Sequence, residues 1–350
     1  MSTIGPFVVL VLLTNVAFGL ITAALFLRFQ DRLRLPMGPL VLAGLGLGPF
    51  LLSVVLYYAL LLFPGIPRPA LLVLPVLTFG LLAWLAGPGW GVLRGRIADM
   101  RLALRDPSIW LFLLGSAGLL VVTVLFLANK PLVDHDVLEY GVQGRIFLRD
   151  GAIRYSQFRF DEASGFHYVG LHGFAFPLLF TWEGLWAWVL GVRSDLWARS
   201  ITMWYGWLII AFMWSVFRHV DRWMAVAGSI ALAASVGFLF LVTIYHLDSF
   251  RIFFFTTSMA AFVALFRAPS LARVMLLAVL CAAVAFIHSI GAILCVVLWG
   301  VVLLLLPVPI MQRIRWTVPA IGVMLLLGGV HYVLDVLIGT GWVLQDIIWY

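Results

Sequence analysis

Apolar residues run along this chain in long blocks rather than in stripes. Uncharged, predominantly apolar runs cover 7–27, 37–63, 70–93, 108–129, 200–217, 223–245, 252–266, 274–312 and 316–334. A helix needs roughly 20 such residues to cross about 30 Å of hydrocarbon, so these blocks predict membrane-spanning helices. The 39 residues of 274–312 would reach about 58 Å as one helix at about 1.5 Å per residue. That block therefore predicts two helices, turning at His288-Ser289-Ile290-Gly291. The first block is too long for a signal peptide and lacks its small-residue cleavage pattern, so it is expected to remain as a helix.

Segment 173–192 is long enough to span, but it places Glu183 near its middle and opens with a proline and many aromatics. The arginines decide how to read it, because loops on the cytoplasmic side carry the excess of Lys and Arg. If 173–192 does not span, the loops at 28–36, 88–107, 218–222, 267–273 and 313–315 share one side and hold 13 basic residues, against nine on the other. If it does span, the later loops flip and the bias reverses, with ten inside and twelve outside. The first arrangement is expected. It predicts an all-α polytopic membrane protein of about ten transmembrane helices, an extracytoplasmic N-terminus and a long extracytoplasmic segment, 130–198. Within that segment 173–192 becomes a juxtamembrane helix at or re-entering the interface, capping the bundle, with Trp182, Trp186 and Trp188 suited to the headgroup level. The chain then divides into a three-helix membrane segment at 1–107, a membrane core at 108–334 and an extracytoplasmic tail at 335–350.

Composition strengthens this picture. Of 350 residues, 64% are hydrophobic and 11% charged, with a mean hydropathy of +1.12, whereas a soluble domain carries about 25% charged residues. The net charge of +7 does not point to nucleic acid, because 21 of the 22 basic residues are arginines scattered among short loops. Cys281 and Cys295 both lie in apolar runs, which argues against a disulfide scaffold, a zinc site or a thiol nucleophile. The glycines around Gly44, Gly46 and Gly48 lie in a span with no Lys-Ser/Thr after them, so they read as helix packing and not as a phosphate loop.

The predicted spans contain no Asp, Glu, Lys or Arg, which counts against an ion-coupled transporter. Ionisable residues concentrate instead in 130–172, with six carboxylates, five basic residues and three of the seven histidines. Leu138, Val142 and Ile146 recur every four residues, so 137–148 predicts a short amphipathic helix. Asp134, His135 and Asp136 stand just before it. Asp136 reads either as a general base or metal ligand, or as the N-cap of a capping box with Glu139; the two roles are compatible. Tyr245-His246-Leu247-Asp248 and His288 fall in outer loops on the same side, where each has the simpler reading of a loop residue meeting water. His331 lies near the outer end of the last span and is expected to bond a neighbouring helix.

These residues resemble the GT-C superfamily of membrane glycosyltransferases, in particular its protein O-mannosyltransferase and aminoarabinose-transferase branch. Asp136-Val137-Leu138-Glu139-Tyr140 is similar to the branch's D-E-x-x-Y-like motif at the start of the first large outer loop, with Val137 in place of the Glu. His172-Gly173-Phe174-Ala175-Phe176-Pro177 is similar to its Lys-Pro-Pro-like entry to an aromatic juxtamembrane helix, without the Lys and one Pro. Leu247-Asp248-Ser249 and Ala285-Phe286-Ile287-His288-Ser289 resemble its later outer motifs, with His288 near where a Lys is common. The likeness covers about 108–306. It implies inverting transfer of a sugar from a polyprenyl-phosphate donor to a hydroxyl of a glycan, lipid or protein acceptor, on the outer side of a bacterial cytoplasmic membrane. It implies Asp136 as the base with Asp134 and Glu139 beside it. Tyr140, Arg145, Arg159, His172, Asp248 and His288 are then candidates for donor phosphate or substrate, and Asp136 and Asp248 for a divalent metal, Mg or Mn. A non-catalytic membrane subunit, or a transporter or flippase for a lipid-linked substrate, is the alternative; membrane lipids are partners in every case.

Overall fold

The computed structural model describes residues 4–103, 105–129, 135–154, 173–192, 196–243 and 247–338. Every described element is helical, as lipid requires: a backbone without water must satisfy its own N–H and C=O groups, and a helix does so within one segment. In chain order the helices are α1 (Phe7–Arg28), α2 (Gln30–Leu33), α3 (Met37–Leu62), α4 (Arg68–Leu85), α5 (Gly87–Ala103), α6 (Pro107–Asn129) and α7 (His135–Asp150). There follow α8 (Ala175–Leu190), α9 (Leu196–Phe217), α10 (Arg222–Ala234), α11 (Val236–Thr243), α12 (Asp248–Arg267), α13 (Leu271–Ile287), α14 (Ser289–Leu305) and α15 (Ile310–Ile338). Among them α1, α3, α4, α6, α9, α12 and α15 are long and apolar enough to cross a membrane, and α10 with α11 makes an eighth if that pair, bent by 63°, is one span. The chain is a polytopic helical membrane protein.

The run at 274–312 is two helices of 17 residues each, parted at His288. Other boundaries moved. The run at 70–93 stops at Leu85, and α5 turns back onto α1 so closely that a Cβ at Gly89 would overlap the Ala24 carbonyl. The run at 223–245 bends at Ser235, whose extended backbone ends α10 and whose Oγ accepts the Phe238 N–H (3.3 Å) in the first turn of α11. The last span does not end at 334. Its helix carries on to Ile338 and takes in Asp335, which is 2% exposed. That corrects the expectation of carboxylate-free spans. Asp335 follows His331 by one turn on the inward face, while Val336 and Leu337 face outward.

The basic loops gather at one end of the bundle. The Arg273 guanidinium donates to four carbonyls, those of Leu33 (2.8 Å), Arg34 (2.9 Å), Ala264 (2.6 Å) and Ala268 (2.9 Å). It thereby ties α2 to the ends of α12 and α13. Arg28 donates to the Leu85 carbonyl, and Arg222 faces Asp106 at 3.7 Å. Gly38, in the first turn of α3, lies against Ser215 near the end of α9. At the opposite end, the Gly65 N–H donates to the Gly151 carbonyl (2.9 Å) and the Ile153 N–H to that of Leu60 (3.2 Å). The chain leaving α7 is thereby fixed to the turn between α3 and α4.

Asp106 starts α6 with its carboxylate accepting the Ser108 N–H (3.0 Å). Hydrogen bonds from the Ser108 side chain and backbone, with Arg222 and Arg218 nearby, hold its carboxyl below its usual value. A depressed folded-state pKa gives stabilisation that is present above the unfolded value, about 4, and lost as pH falls through the folded value. Asn caps about as well as Asp, so Asp106→Asn removes the charge alone. It should melt slightly below wild type at neutral pH, and the gap should close in acid and in high salt.

Candidate functional site

The site is built where α7 crosses α8. The crossing depends on Gly144: a Cβ there would fall 2.5 Å from the Pro177 carbonyl and 2.7 Å from Phe180 Cβ. Thr181 Oγ1 fastens the contact by donating to the Gly144 carbonyl (3.0 Å). The face of α7 that meets α8 is accordingly Tyr140, Gln143, Gly144 and Phe147, all buried, with Tyr140 edge-on to Phe176 at 5.3 Å. The predicted stripe of Leu138, Val142 and Ile146 is not the packing face, since Val142 is 46% exposed. Close approach selected the row holding the glycine over the row of aliphatic residues. Arg145, the candidate for the donor phosphate, is exposed on α7.

Helix α7 begins at His135, so Asp136 stands inside its first turn and not at the N-cap that the capping-box reading gave it. Glu139 is also in the first turns of α7. Asp134, Arg159 and His172 lie outside the described residues, as does the loop 244–246 before Asp248.

Helix α8 has 16 residues, about 24 Å at about 1.5 Å per residue. Both of its ends lie near the end of the bundle opposite the arginine-rich loops. Phe174, just before it, packs on Tyr57 of α3 (5.3 Å), and Trp188 lies under the guanidinium of Arg68, the first residue of α4 (5.9 Å). Between them Trp182 Nε1 donates to Thr14 Oγ1 of α1 (2.9 Å). Glu183, 4% exposed, accepts the N–H groups of Trp197 (3.0 Å) and Ala198 (3.4 Å) in the first turn of α9. A buried carboxylate is tolerable only when bonded, and a helix N-terminus offers unpaired N–H donors and a favourable dipole. Sequence reasoning treated Glu183 only as an obstacle to spanning and missed this role.

His288 is not a loop residue meeting water. It is 2% exposed, and its Nδ1 accepts the Ile290 N–H (3.1 Å), capping α14. Gly173, at φ +65°, presses on the backbone of Phe286 and Ile287, where no side chain would fit. The α13–α14 break, the entry to α8 and the end of α7 therefore meet: Phe174 contacts Phe147 (6.0 Å), Tyr57 and His331 (5.5 Å). His331, 4% exposed, sits among the rings of Phe174, Phe286 (5.5 Å), Tyr57 (6.5 Å) and Tyr332 (3.9 Å). Neither ring nitrogen has a hydrogen-bond partner among the described residues, so the expected bond to a neighbouring helix is absent there. The sequence reading also missed Asp335, although its position four residues after His331 was a usable signal.

Asp248 opens α12 and is bonded to Arg251 one turn on. Among the described residues no three His, Cys, Asp or Glu side chains gather as a metal site, and a metal on Asp248 would have to displace Arg251. No protein-family model, curated protein or solved structure matches the chain.

Because Nδ1 of His288 is an acceptor, the neutral ring carries its proton on Nε2. Removing the cap in His288→Ala should cost about 0.5–2 kcal/mol, read as a lower melting temperature. His288→Asn should restore most of that loss. If Nε2 also meets a substrate, His288→Asn will melt near wild type and still lose activity.

Proposed function

We propose that this chain is a membrane glycosyltransferase, moving a sugar from a polyprenyl-phosphate-linked donor to an acceptor hydroxyl at the end of the bundle opposite the arginine-rich loops. In this reading ten helices span, counting α10 with α11 as one and α13 and α14 each as one. Helix α8 caps them on the extracytoplasmic side. The charge bias of the loops supports that orientation. The non-spanning reading of α8 is supported by its two ends lying near the same end of α3 and α4.

The observation that carries the functional reading is the α7–α8 crossing over the α13–α14 break. It combines the Asp136-to-Tyr140 turn, an aromatic juxtamembrane helix and His288 at one end of a membrane bundle. In the proposed reaction the acceptor oxygen attacks the anomeric carbon as Asp136 takes its proton. The bond to the lipid phosphate breaks with inversion. The phosphate leaves as an anion that needs donors or cations, supplied by Arg145, Arg159, His172 and the Nε2–H of His288. The acceptor is a glycan, lipid or protein.

A second reading, transport of a lipid-linked substrate, gains from Asp335. A buried carboxylate within a spanning helix is a feature that pumps and transporters use. It predicts movement of the intact substrate across the membrane and no cleavage of the sugar–phosphate bond.

Purified protein in lipid, given a panel of polyprenyl-phosphate sugars, separates the two. Asp136→Asn should lower transfer or donor hydrolysis by at least about 10²-fold while extracting and melting like wild type. Asp134→Asn should have a smaller effect. An Asp136→Asn protein that remains fully active would remove the proposed base.

A further inference from the structure

At the arginine-rich end, away from the site above, a groove of about 540 Å³ opens between the end of α1 with α2 and the first turns of α13. Its walls are Leu25, Phe26, Phe29, Met275, Leu276 and Val279, and Arg32 and Ser270 stand at its rim. From Ser270 to Val279 the α13 wall is about 13 Å long at about 1.5 Å per residue. Such a volume is typical of a small-molecule site. The groove is held open by construction. The four carbonyl bonds of Arg273 fasten α2 to α12 and α13. Arg34 is turned into the left-handed region at φ +48°, which directs the chain back toward α3. Four of the five N–H donors of Arg273 are thus engaged. Arg32 and Arg34 are exposed and form no ion pair among the described residues.

We infer that this groove binds one acyl chain of an anionic glycerophospholipid, with the phosphate of its headgroup at Arg32 and Arg34. Charge and depth argue for this occupant. The apolar walls belong to the membrane-level turns of α1 and α13, which lipid tails reach and a water-soluble partner does not. The cations stand at loop level, where a headgroup lies, and basic residues between helices on this face suit anionic lipid heads. The inference does not depend on the proposed transferase reaction.

The test uses the full chain in mild detergent, titrated with dioleoyl phosphatidylglycerol, dioleoyl phosphatidylcholine or glycerol phosphate alone. Native mass spectrometry and melting temperature are the readouts. Phosphatidylglycerol should be retained at one copy per chain and raise the melting temperature more than phosphatidylcholine does, and glycerol phosphate should do neither. Arg32→Gln and Arg34→Gln should each weaken phosphatidylglycerol retention by roughly fivefold and leave phosphatidylcholine unchanged. Met275→Trp, filling the groove, should reduce retention of both lipids; if it fails to fold, the arginine variants still decide. Equal retention of the two lipids, unaltered retention in the arginine variants, equal binding of glycerol phosphate alone, or a lipid-free dimer that excludes lipid from the groove would each overturn the inference.

Discussion

The end of the bundle opposite the arginine-rich loops depends on one buried carboxylate. Helix α9 begins among its neighbours, and its first N–H groups have no acceptor of their own. Glu183 reaches them from the middle of α8. In a low-dielectric setting neither the charge nor the N–H groups would be tolerable alone; together they lock the centre of α8 to the start of α9. A helical hairpin would instead pair the end of one helix with the start of the next. From that lock follow the positions of Trp182 on Thr14, of Phe174 against Tyr57, and of α7 seated on α8 through Gly144.

The opposite end is organised by a cation rather than an anion. Arg273 collects four carbonyls from two chain segments, the end of α2 and the end of α12. Hydrogen bonds to a charged group are worth about 1.5–3 kcal/mol each, so one side chain replaces a set of separate loop contacts. The same arginines that bias topology therefore also build the loops and the groove beside them. The two ends differ in chemistry accordingly: one is a guanidinium-laced face, the other an aromatic end with His288, His331 and Asp335 enclosed in it.

Much of the bundle was legible in the sequence because hydrocarbon thickness acts on run length, which is a one-dimensional property. That 274–312 holds two helices followed from length, and the place of the break from the His288-Ser289-Ile290-Gly291 turn. Features that depend on which surfaces meet were not legible. The buried row of α7 was set by Gly144 and its partner at Pro177, a contact 33 residues away in sequence, and not by the aliphatic period. Asp335 ended a hydropathy run but not a helix, since a buried carboxylate on the inward face leaves the outward face apolar. At the site, the Asp136-to-Tyr140 spacing could be read, whereas the start of α7 two residues before the expected 137, which takes Asp136 off the cap, could not. Glu183 shows the same limit: a charge in an apolar run declares that something binds it, without saying what.

The central claim is that α8 lies across the end of the bundle and does not traverse it. Nitroxide labels placed singly at Phe180 and Leu190, both only partly buried, report depth in a bilayer by their accessibility to oxygen and to a water-soluble nickel complex. The account predicts nearly equal depths for the two labels, close to one surface. A separation of about 15 Å along the membrane normal, the rise of ten helical residues, would contradict it.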